Sequence, residues 1–401
     1  MKIGILTFHR SYNYGAYAQC FSLVKRLEKE FPEHIIEVID YTSKKAMDNY
    51  QNSILSQNKE NRQKLKERNN AFLSCQEELP LSKKKFFTDE IGEAIEYFNK
   101  TYDAIIVGSD AVWNWITRGF PNIWFLKGYN GIKLSYAASV FGMVYQKITD
   151  EQKKYVAEAL SEFSYIGTRD CATEGFVRFA DESLTPIHNC DPTMFLDLND
   201  VPCDKRILKK KLESKGVDFS KPLIGVMGRE HIVRNIKRRY GNKVQLVAIY
   251  QPNKVADVYL NDLTPYEWMN VFSFFKLTIT HYFHGTMLSI VNGTPVIPIE
   301  LKNEYAEFNR TKIDDLMTRI GLSGWRFEAN YRKVPKIVRI LRRLGFCEDH
   351  KLWNNIYLKI DEMLENDYSK TIEKKRQIEA KCAEEFVKQL RKILNAGGKN
   401  R

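Results

Sequence analysis

Short runs of β-branched and other apolar residues alternate with segments of helical periodicity from the first residue onward. This alternation is typical of βαβ units and of a mainly parallel sheet. In the first half of the chain it predicts strands at Lys2 to Thr7, Ile35 to Asp40, Ala104 to Val107, Lys133 to Ala138 and Tyr165 to Thr168. The first helix carries an apolar face at helical spacing, made of Tyr17, Phe21, Val24, Leu27 and Phe31.

The alternation returns in the second half, with strands predicted at Leu223 to Met227, Val244 to Ile249, Leu277 to Thr280 and Val296 to Ile299. A chain of 401 residues exceeds the usual length of one domain. We therefore predict an α/β fold of two doubly wound, Rossmann-like domains, with a helix-rich tail from about Val334. The predicted domains are residues 1–200, residues 201–345 and a helical C-terminal extension at 346–401, with a hinge in the Asp-, Asn- and Pro-rich segment Leu196 to Lys205.

Two segments depart from this pattern. Residues 43–100 are highly charged with helical spacing, and we interpret them as a solvated helical excursion, not a separate domain. Residues 369–401 carry ten Lys or Arg against four Glu, together with an apolar stripe that consists of Ile378, Cys382, Phe386, Leu390 and Ile393. The stripe predicts a terminal helix docked on the body of the protein. The alternative is a basic helix in peripheral contact with anionic lipid.

The formal net charge of +12 indicates anionic partners, which include phosphorylated metabolites, nucleic acid and acidic membrane surfaces. No nucleic-acid-binding motif is found, so we expect no nucleic-acid partner. The seven cysteines form no C-x-x-C pair, and we predict neither disulfides nor a metal site. Because the sequence has no membrane-spanning apolar run and no signal-peptide pattern, we expect a cytoplasmic protein, with the inner face of the membrane as an alternative location.

The segment from Leu277 to Glu300 offers the clearest candidate chemistry. A strand is predicted to end near Thr280, His281 and His284 lie in the following turn, and Gly285-Thr286 opens a helix. The first turn of a helix has unpaired amides that bind phosphate or carboxylate. A histidine beside such a site can act as a general acid or base, and His284 is the better candidate because it directly precedes the glycine. A structural histidine that caps the turn is the alternative.

A second strand-end turn contains Gly108-Ser109-Asp110 and, three residues later, Trp113. Ligands of open α/β sheets lie beyond the carboxyl ends of the strands. Ser109 and Asp110 are therefore candidates to bind sugar hydroxyls, and Trp113 to stack on a sugar ring. Equally, Ser109 or Asp110 can cap a helix and Trp113 can belong to the core.

The first strand leads into a polar loop in which Asn13, Tyr14 and the Gly15 amide are candidate substrate contacts, although turn chemistry also explains Asn13 and Gly15. The loop lacks the G-x-G-x-x-G spacing of a dinucleotide site. Three arginines at strand ends or turns could hold phosphate or carboxylate, although most arginines only solvate a surface. They are Arg169, Arg229 and Arg310.

The order and spacing of these motifs resemble the polysaccharide pyruvyltransferase family over nearly the whole chain to about Leu322. The motifs that carry the resemblance are Lys2-Ile-Gly-Ile-Leu-Thr-Phe, Asn13-Tyr-Gly-Ala, Tyr102-Asp-Ala-Ile-Ile-Val-Gly-Ser-Asp, Val112-Trp-Asn, Ser135-Tyr-Ala-Ala-Ser, Thr168-Arg-Asp, Asp191-Pro-Thr, Leu263-Thr-Pro-Tyr-Glu-Trp and Phe283-His-Gly-Thr. The resemblance implies a fold similar to GT-B glycosyltransferases, with the active site in the cleft between the domains. It also implies transfer of the enolpyruvyl group of phosphoenolpyruvate onto two hydroxyls of a cell-envelope or capsular glycan as a ketal, with release of phosphate.

By this resemblance His284 corresponds to the catalytic histidine and Arg169 to an arginine that contacts phosphoenolpyruvate. We place Gly285, Thr286, Arg229 and Arg310 on the donor side. On the acceptor side we place Asn13, Tyr14, Gly15, Ser109, Asp110 and Trp113. The implied partners are phosphoenolpyruvate as co-substrate and a glycan or lipid-linked oligosaccharide as acceptor, and no cofactor or metal is expected.

The chain departs from the family pattern at two positions. Tyr282 stands where many members carry an arginine, and Ala111 stands where a glutamine is frequent. Arg229, Arg310 or Lys312 could supply the missing cation, or the donor could differ. Ala111 could change the choice of acceptor.

Two other functions remain as alternatives. A GT-B glycosyltransferase also holds a nucleotide-sugar diphosphate at a Gly-Thr helix start, and Glu300 could then bind ribose hydroxyls. The second alternative is a non-enzymatic protein that binds nucleic acid or membrane through its +12 charge.

Overall fold

The computed structural model describes residues 1–116, 119–329, 335–343 and 349–399. Their strands are β1 Lys2–Leu6, β2 Ile35–Val38, β3 Tyr41–Thr42, β4 Phe86–Phe87, β5 Ala104–Val107, β6 Ile132–Ala138, β7 Tyr165–Thr168, β8 Ile187–His188, β9 Leu223–Met227, β10 Gln245–Ile249, β11 Val258–Leu260, β12 Leu277–Thr280, β13 Val296–Leu301 and β14 Phe327–Ala329.

The α-helices of the same residues are α1 Tyr14–Glu30, α2 Lys44–Leu55, α3 Lys59–Leu73, α4 Gly92–Thr101, α5 Asp150–Ser161, α6 Cys171–Ala180, α7 Lys205–Ser214, α8 Glu230–Tyr240, α9 Pro265–Val271, α10 Phe283–Val291, α11 Glu304–Phe308, α12 Lys312–Arg319, α13 Lys336–Arg343, α14 His350–Glu365, α15 Ser369–Ala380 and α16 Cys382–Lys399.

Two six-stranded parallel sheets organise the molecule. The first has the order β2-β1-β5-β6-β7-β8, and the second has the order β11-β10-β9-β12-β13-β14. Strand order reverses direction between β1 and β5 in the first sheet and between β9 and β12 in the second, as in doubly wound folds. The predicted α/β fold with two Rossmann-like domains is therefore confirmed.

All nine predicted strands exist, and four have the predicted bounds: β5, β7, β9 and β12. The prediction missed the sheet edges β8, β11 and β14 and the small pair β3 and β4. These strands have two or three residues each, which is too short for an alternating pattern to be recognised.

Helix α1 belongs to the first domain and packs against the second. Asn13 caps it by accepting hydrogen bonds from the amides of Gly15 and Ala16. The predicted apolar face is buried from Tyr17 to Phe31. The Tyr17 hydroxyl donates to that of Tyr266 in the second domain at 3.0 Å, so the face of this helix also forms part of the domain interface.

The charged excursion divides into two unlike helices, α2 and α3. Helix α2 has no buried residue, as the prediction of a solvated segment requires. Helix α3 buries Leu65, Arg68 and Phe72, so the prediction is wrong for this half. Arg68 donates to the carbonyl oxygen of Tyr250 at 3.1 Å, and α3 therefore bridges the first domain to the second.

The C-terminal helices return from the second domain to the first. Trp353 and Ile360 of α14 belong to the core of the second domain. Phe386 of α16 lies 4.5 Å from the ring of Tyr136, between centroids, in the first domain. Docking of the apolar stripe is thus confirmed for Phe386 and Leu390, which are buried, whereas Ile378 is exposed. The buried part of the stripe is not available to lipid.

Val334 and residues 344–348, where the predicted C-terminal extension begins, lie outside the described residues. None of the described helices has the length and apolar character needed to cross a membrane.

Candidate functional site

The two points of reversed strand order carry most of the candidate residues. In the first sheet, β1 leads to Asn13 and Gly15, and β5 leads to Ser109 and Asp110. In the second sheet, β9 leads to Arg229, and β12 leads to the turn that contains His281 and then to α10. Ligands of open α/β sheets bind at such points, and here residues from both points touch across the domain interface.

His284 lies inside the first turn of α10, not before it as predicted. The helix begins at Phe283 after Tyr282, and its first backbone hydrogen bond runs from the Thr286 amide to the Tyr282 carbonyl oxygen at 3.0 Å. The amides of Phe283, His284 and Gly285 therefore precede the intrahelical bonding pattern. The predicted helix start exists, displaced by two residues.

The two neighbours of His284 in the predicted donor site are enclosed. A side chain at Gly285 would begin 2.7 Å from Thr280 Oγ1 and 2.8 Å from Met227 Sδ, so only a glycine fits against the end of β12. Thr286 is fully buried and its hydroxyl donates to the Tyr282 carbonyl oxygen at 3.2 Å. The Thr286 side chain thus stabilises the start of α10 and does not face a ligand.

The imidazole of His284 is held between the two domains. Its Nε2 lies 3.5 Å from Asp191 Oδ2. On the other side, a methyl group at Gly15 would come within 2.1 Å of His284 Cγ and Nδ1. Because Gly15 has no side chain, α1 can pack closely against the ring edge that carries Cγ and Nδ1.

A chain of buried charges continues from Asp191 into the first domain. Arg169 donates through Nη1 to Asp191 Oδ2 at 3.0 Å and through Nη2 to Asp110 Oδ1 at 3.3 Å. We call His284, Asp191, Arg169 and Asp110 the His284 cluster. The guanidinium is almost fully buried and lies between two carboxylates, so it acts first as their counter-ion.

Both carboxylates of the cluster are ionised near neutral pH. Burial raises the pKa of Asp110, but Arg169, Lys312 and His284 outweigh it and lower the pKa to about 2. Burial likewise opposes ionisation of Asp191, and its hydrogen bond and charge interaction with His284, together with Arg169, hold its pKa well below the usual range.

Asp110 sits on an unusual backbone. Its φ is 83°, in the left-handed region that non-glycine residues rarely adopt. Its Oδ1 accepts from the Ala111 amide at 2.7 Å. Such a conformation costs free energy and is found most often where a side chain must be aimed at a ligand.

A cavity of about 480 Å³ opens from the cluster into the first domain. Asp110, Ala111 and Asn13 lie at its wall, with α2 closing another side through Met47 and Tyr50. Aromatic and polar groups line the wall, among them Phe8, Ser11, Tyr41, Thr42, Asn49 and Trp124. Arg10 also lines it and donates two hydrogen bonds to Asp40. This mixture suits a pyranose, which has an apolar face and a hydroxyl rim.

Three residues predicted to contact the acceptor lie inside the protein instead. The Trp113 ring is fully buried, packs on Phe125 and donates to the Trp124 carbonyl oxygen, so it belongs to the core. The Tyr14 hydroxyl is buried and donates to the Leu263 carbonyl oxygen at 2.6 Å. Ser109 is fully buried and its hydroxyl donates to Asp191 Oδ2 at 3.5 Å, which ties the turn after β5 to the cluster.

Two of the predicted donor-side arginines lie at the surface. Arg229 is exposed at the start of α8 beside His281. Burial and the charge of Arg229 lower the pKa of His281 to about 4, so His281 is neutral. Arg310 is exposed and pairs with Asp314 at 3.3 Å. Neither arginine reaches the His284 cluster through a direct contact.

Lys312, which was considered beside these arginines as a replacement for the missing family arginine, is the one of the three that lies close to the His284 cluster. Its ammonium lies over the rings of Phe141 and Phe283 and interacts electrostatically with Arg169, Asp110 and Asp191. Asp191 was not among the predicted site residues. It follows the two-residue strand β8, and an unrecognised strand gives no signal that the next aspartate stands at a carboxyl end of the sheet.

Glu300, considered for ribose binding, is already engaged. Its carboxylate accepts hydrogen bonds from Thr311 Oγ1 at 2.9 Å and Arg326 Nε at 2.5 Å. Within the described ranges, no group of three or more His, Cys, Asp or Glu side chains could hold a metal ion.

Solved structures with the same architecture are sugar-nucleotide enzymes. UDP-GlcNAc 2-epimerase from Neisseria meningitidis, bound to UDP-GlcNAc, has a TM-score of 0.55 at 12% identity and covers 98% of this chain and 100% of its own. A putative UDP-N-acetylglucosamine 2-epimerase from Listeria monocytogenes has a TM-score of 0.54 at 13% identity, covering 98% and 97%. The UDP-GlcNAc 2-epimerase from Methanocaldococcus jannaschii has 0.53 at 11%, covering 94% and 99%. At these identities the similarity concerns the fold alone.

No curated protein matches the chain in sequence. Residues 13–303 match the family described as polysaccharide pyruvyl transferase. This range runs from the cap of α1 through β13 and includes every residue of the His284 cluster. The chain therefore belongs to the polysaccharide pyruvyl transferase family.

Proposed function

We propose that this protein transfers the enolpyruvyl group of phosphoenolpyruvate onto two hydroxyls of a glycan, forming a cyclic ketal and releasing phosphate. The observation that carries the proposal is the placement of His284, which lies between Asp191 and Gly15 beside the free amides of α10. Family membership supports a polysaccharide as the acceptor class.

The reaction needs one group that protonates carbon and one that accepts a proton from oxygen. His284 would protonate the methylene carbon of the enol, which makes the adjacent carbon electrophilic. Asp191 Oδ2 lies 3.5 Å from Nε2, and the Gly15 backbone packs against the ring edge that carries Nδ1, so both domains fix the position of the imidazole. One hydroxyl then adds to the electrophilic carbon, the second displaces phosphate, and the two hydroxyl protons balance the methyl group and the released phosphate.

Asp110 is suited to the acceptor side of this reaction. It is ionised, lines the cavity and belongs to the same charge chain as Asp191. Its carboxylate could accept a hydrogen bond from an acceptor hydroxyl and draw its proton as the new C–O bond forms. The cavity beside it has room for a sugar ring, and Asn13 and Tyr50 offer polar contacts to that ring.

The donor's negative charge would lie at the start of α10. The three amides before the first helical hydrogen bond and the positive end of the helix dipole favour phosphate or carboxylate there. The glycosyltransferase alternative has less support, because the carboxylate of Glu300 is occupied by Thr311 and Arg326.

Ligand-induced stabilisation of the full chain tests this proposal. Phosphoenolpyruvate should raise the melting temperature, because a ligand that binds only the folded state stabilises it. UDP-GlcNAc and other nucleotide sugars, used as matched controls at the same concentration, should not. The reverse pattern would favour a nucleotide-sugar enzyme and contradict pyruvyl transfer.

A further inference from the structure

The cations around the His284 cluster differ in whether a carboxylate already neutralises them. Arg169 has two carboxylate partners and Arg310 has one. Lys312, by contrast, forms no ion pair with a carboxylate in the part of the chain that the structure describes; its contacts are with aromatic rings. Lys312 therefore has a charge still available to a ligand.

Lys312 lies close to candidate groups of both domains. Its Nζ is 4.5 Å from the ring centroid of Phe141, in the first domain after β6. It is 4.8 Å from the centroid of Phe283, the first residue of α10 and the neighbour of His284. An anion bound by Lys312 would thus lie next to the free amides of α10.

Three features of this position disfavour a charged lysine. Lys312 is the first residue of α12, where the helix dipole repels a cation. It is half-buried. Burial and the nearby charge of Arg169 lower its pKa to about 8, and Asp110, Asp191 and Asp170 only partly oppose them. A desolvated cation that forms no ion pair with any carboxylate of the described residues, placed beside candidate catalytic groups, is a candidate ligand-binding residue.

We propose that Lys312 is the main side-chain contact for the anionic group of the donor, and that Arg169 is a positioning residue that holds Asp191 and Asp110. The inference rests on the proposed function, since it concerns phosphoenolpyruvate. Phosphate and carboxylate share the oxyanion chemistry that an ammonium and helix amides recognise. Arg169 has its two terminal nitrogens committed to carboxylates and acts through them.

Calorimetric titration of phosphoenolpyruvate into the full chain tests the inference. Lys312→Met should raise the Kd about 10- to 100-fold, because it removes a hydrogen bond to a charged group. Lys312→Arg should retain most of the affinity. Lys153→Met is the matched control, since Lys153 is also half-buried and lies 4.6 Å over an aromatic ring, that of Phe179, but on the outer helix α5.

Inorganic phosphate and pyruvate, titrated separately, distinguish the two oxyanions. If Lys312→Met weakens only phosphate binding, the ammonium contacts the phosphate; if it weakens only pyruvate binding, it contacts the carboxylate. Either result supports the inference. An unchanged Kd for phosphoenolpyruvate in a folded Lys312→Met protein overturns it.

The pH dependence of the natural protein provides a test that needs no variant. Affinity for phosphoenolpyruvate should fall as pH rises through about 8, where Lys312 loses its charge, and Lys312→Arg should move this fall to higher pH. Arg169, Asp110, Asp191 and Asp170 face Lys312. The raised pKa of Arg169 and the lowered pKa values of Asp110 and Asp191 keep these three groups charged over this range. A flat profile from pH 7 to about 9.5 overturns the inference. Failure of the natural protein to bind phosphoenolpyruvate at any pH would instead overturn the proposed function.

Discussion

The two domains contribute opposite kinds of chemistry to their shared cleft. The first domain supplies the carboxylates Asp110 and Asp191, together with the arginine that neutralises part of their charge. The second supplies nitrogen groups: the imidazole of His284, the free amides of α10 and the ammonium of Lys312. A wall that carries carboxylates therefore faces a wall that carries nitrogen groups. A reaction between a hydroxyl acceptor and an anionic donor needs both walls, and neither domain has both.

The largest expected effect comes from replacing the proposed proton donor of the second domain, His284. His284→Gln should lower turnover about 100- to 10,000-fold, the usual contribution of a general acid, while the affinity for phosphoenolpyruvate remains. Phosphate release and calorimetry measure the two quantities. His281→Gln serves as the control, because His281 is neutral with a pKa of about 4 and should tolerate the change. Turnover near normal in His284→Gln would contradict the assignment.

Substitution of Arg169 tests how the two carboxylates of the first domain are held together. Arg169→Met would remove the guanidinium that two buried carboxylates share and should lower the free energy of unfolding by about 3–5 kcal/mol. Chemical denaturation measures this change. Arg206→Met removes an exposed pair with Asp204 and should change stability by less than about 1 kcal/mol. If the two variants lose equal stability, Arg169 does not hold the carboxylates together.

Substitution of Gly15 tests the contact between α1 of the first domain and the His284 ring of the second. Alanine favours helices over glycine by about 1 kcal/mol, yet its methyl group at this position would lie 2.1 Å from the His284 ring. Gly15→Ala should therefore cost about 1–3 kcal/mol of stability and displace the imidazole, with a large loss of turnover. Gly92→Ala in α4 meets no atom within 4 Å and should be neutral or slightly stabilising. An active and stabilised Gly15→Ala protein would show that the ring does not lie against α1.

The last test concerns the charge of Lys312 on the second wall. The pKa of Lys312 falls from 10.5 to about 8 on folding, mainly through burial, so the unfolded chain binds more protons between these values. The stability of the natural protein relative to Lys312→Met should thus increase as pH rises from about 8 to 10.5. Denaturation at several pH values measures the difference. A constant difference would mean that folding does not perturb Lys312.

Sequence patterns identified the central strands because these are continuous apolar runs buried on both faces. The same patterns found His284, since a strand end, a glycine and a helix start lie together in a few residues. Asp191 was missed because β8 has only two residues. The roles of Trp113 and Arg169 could not be derived, because burial and ion pairing depend on partners that are distant in the chain.

The return of α16 to the first domain has a consequence for biosynthesis. Phe386 packs against Tyr136 and Tyr165, so the core of the first domain includes residues that are translated some 200 positions later. At the usual rates of synthesis this delay is on the order of tens of seconds. During that time the nascent first domain exposes an apolar surface where α16 will dock.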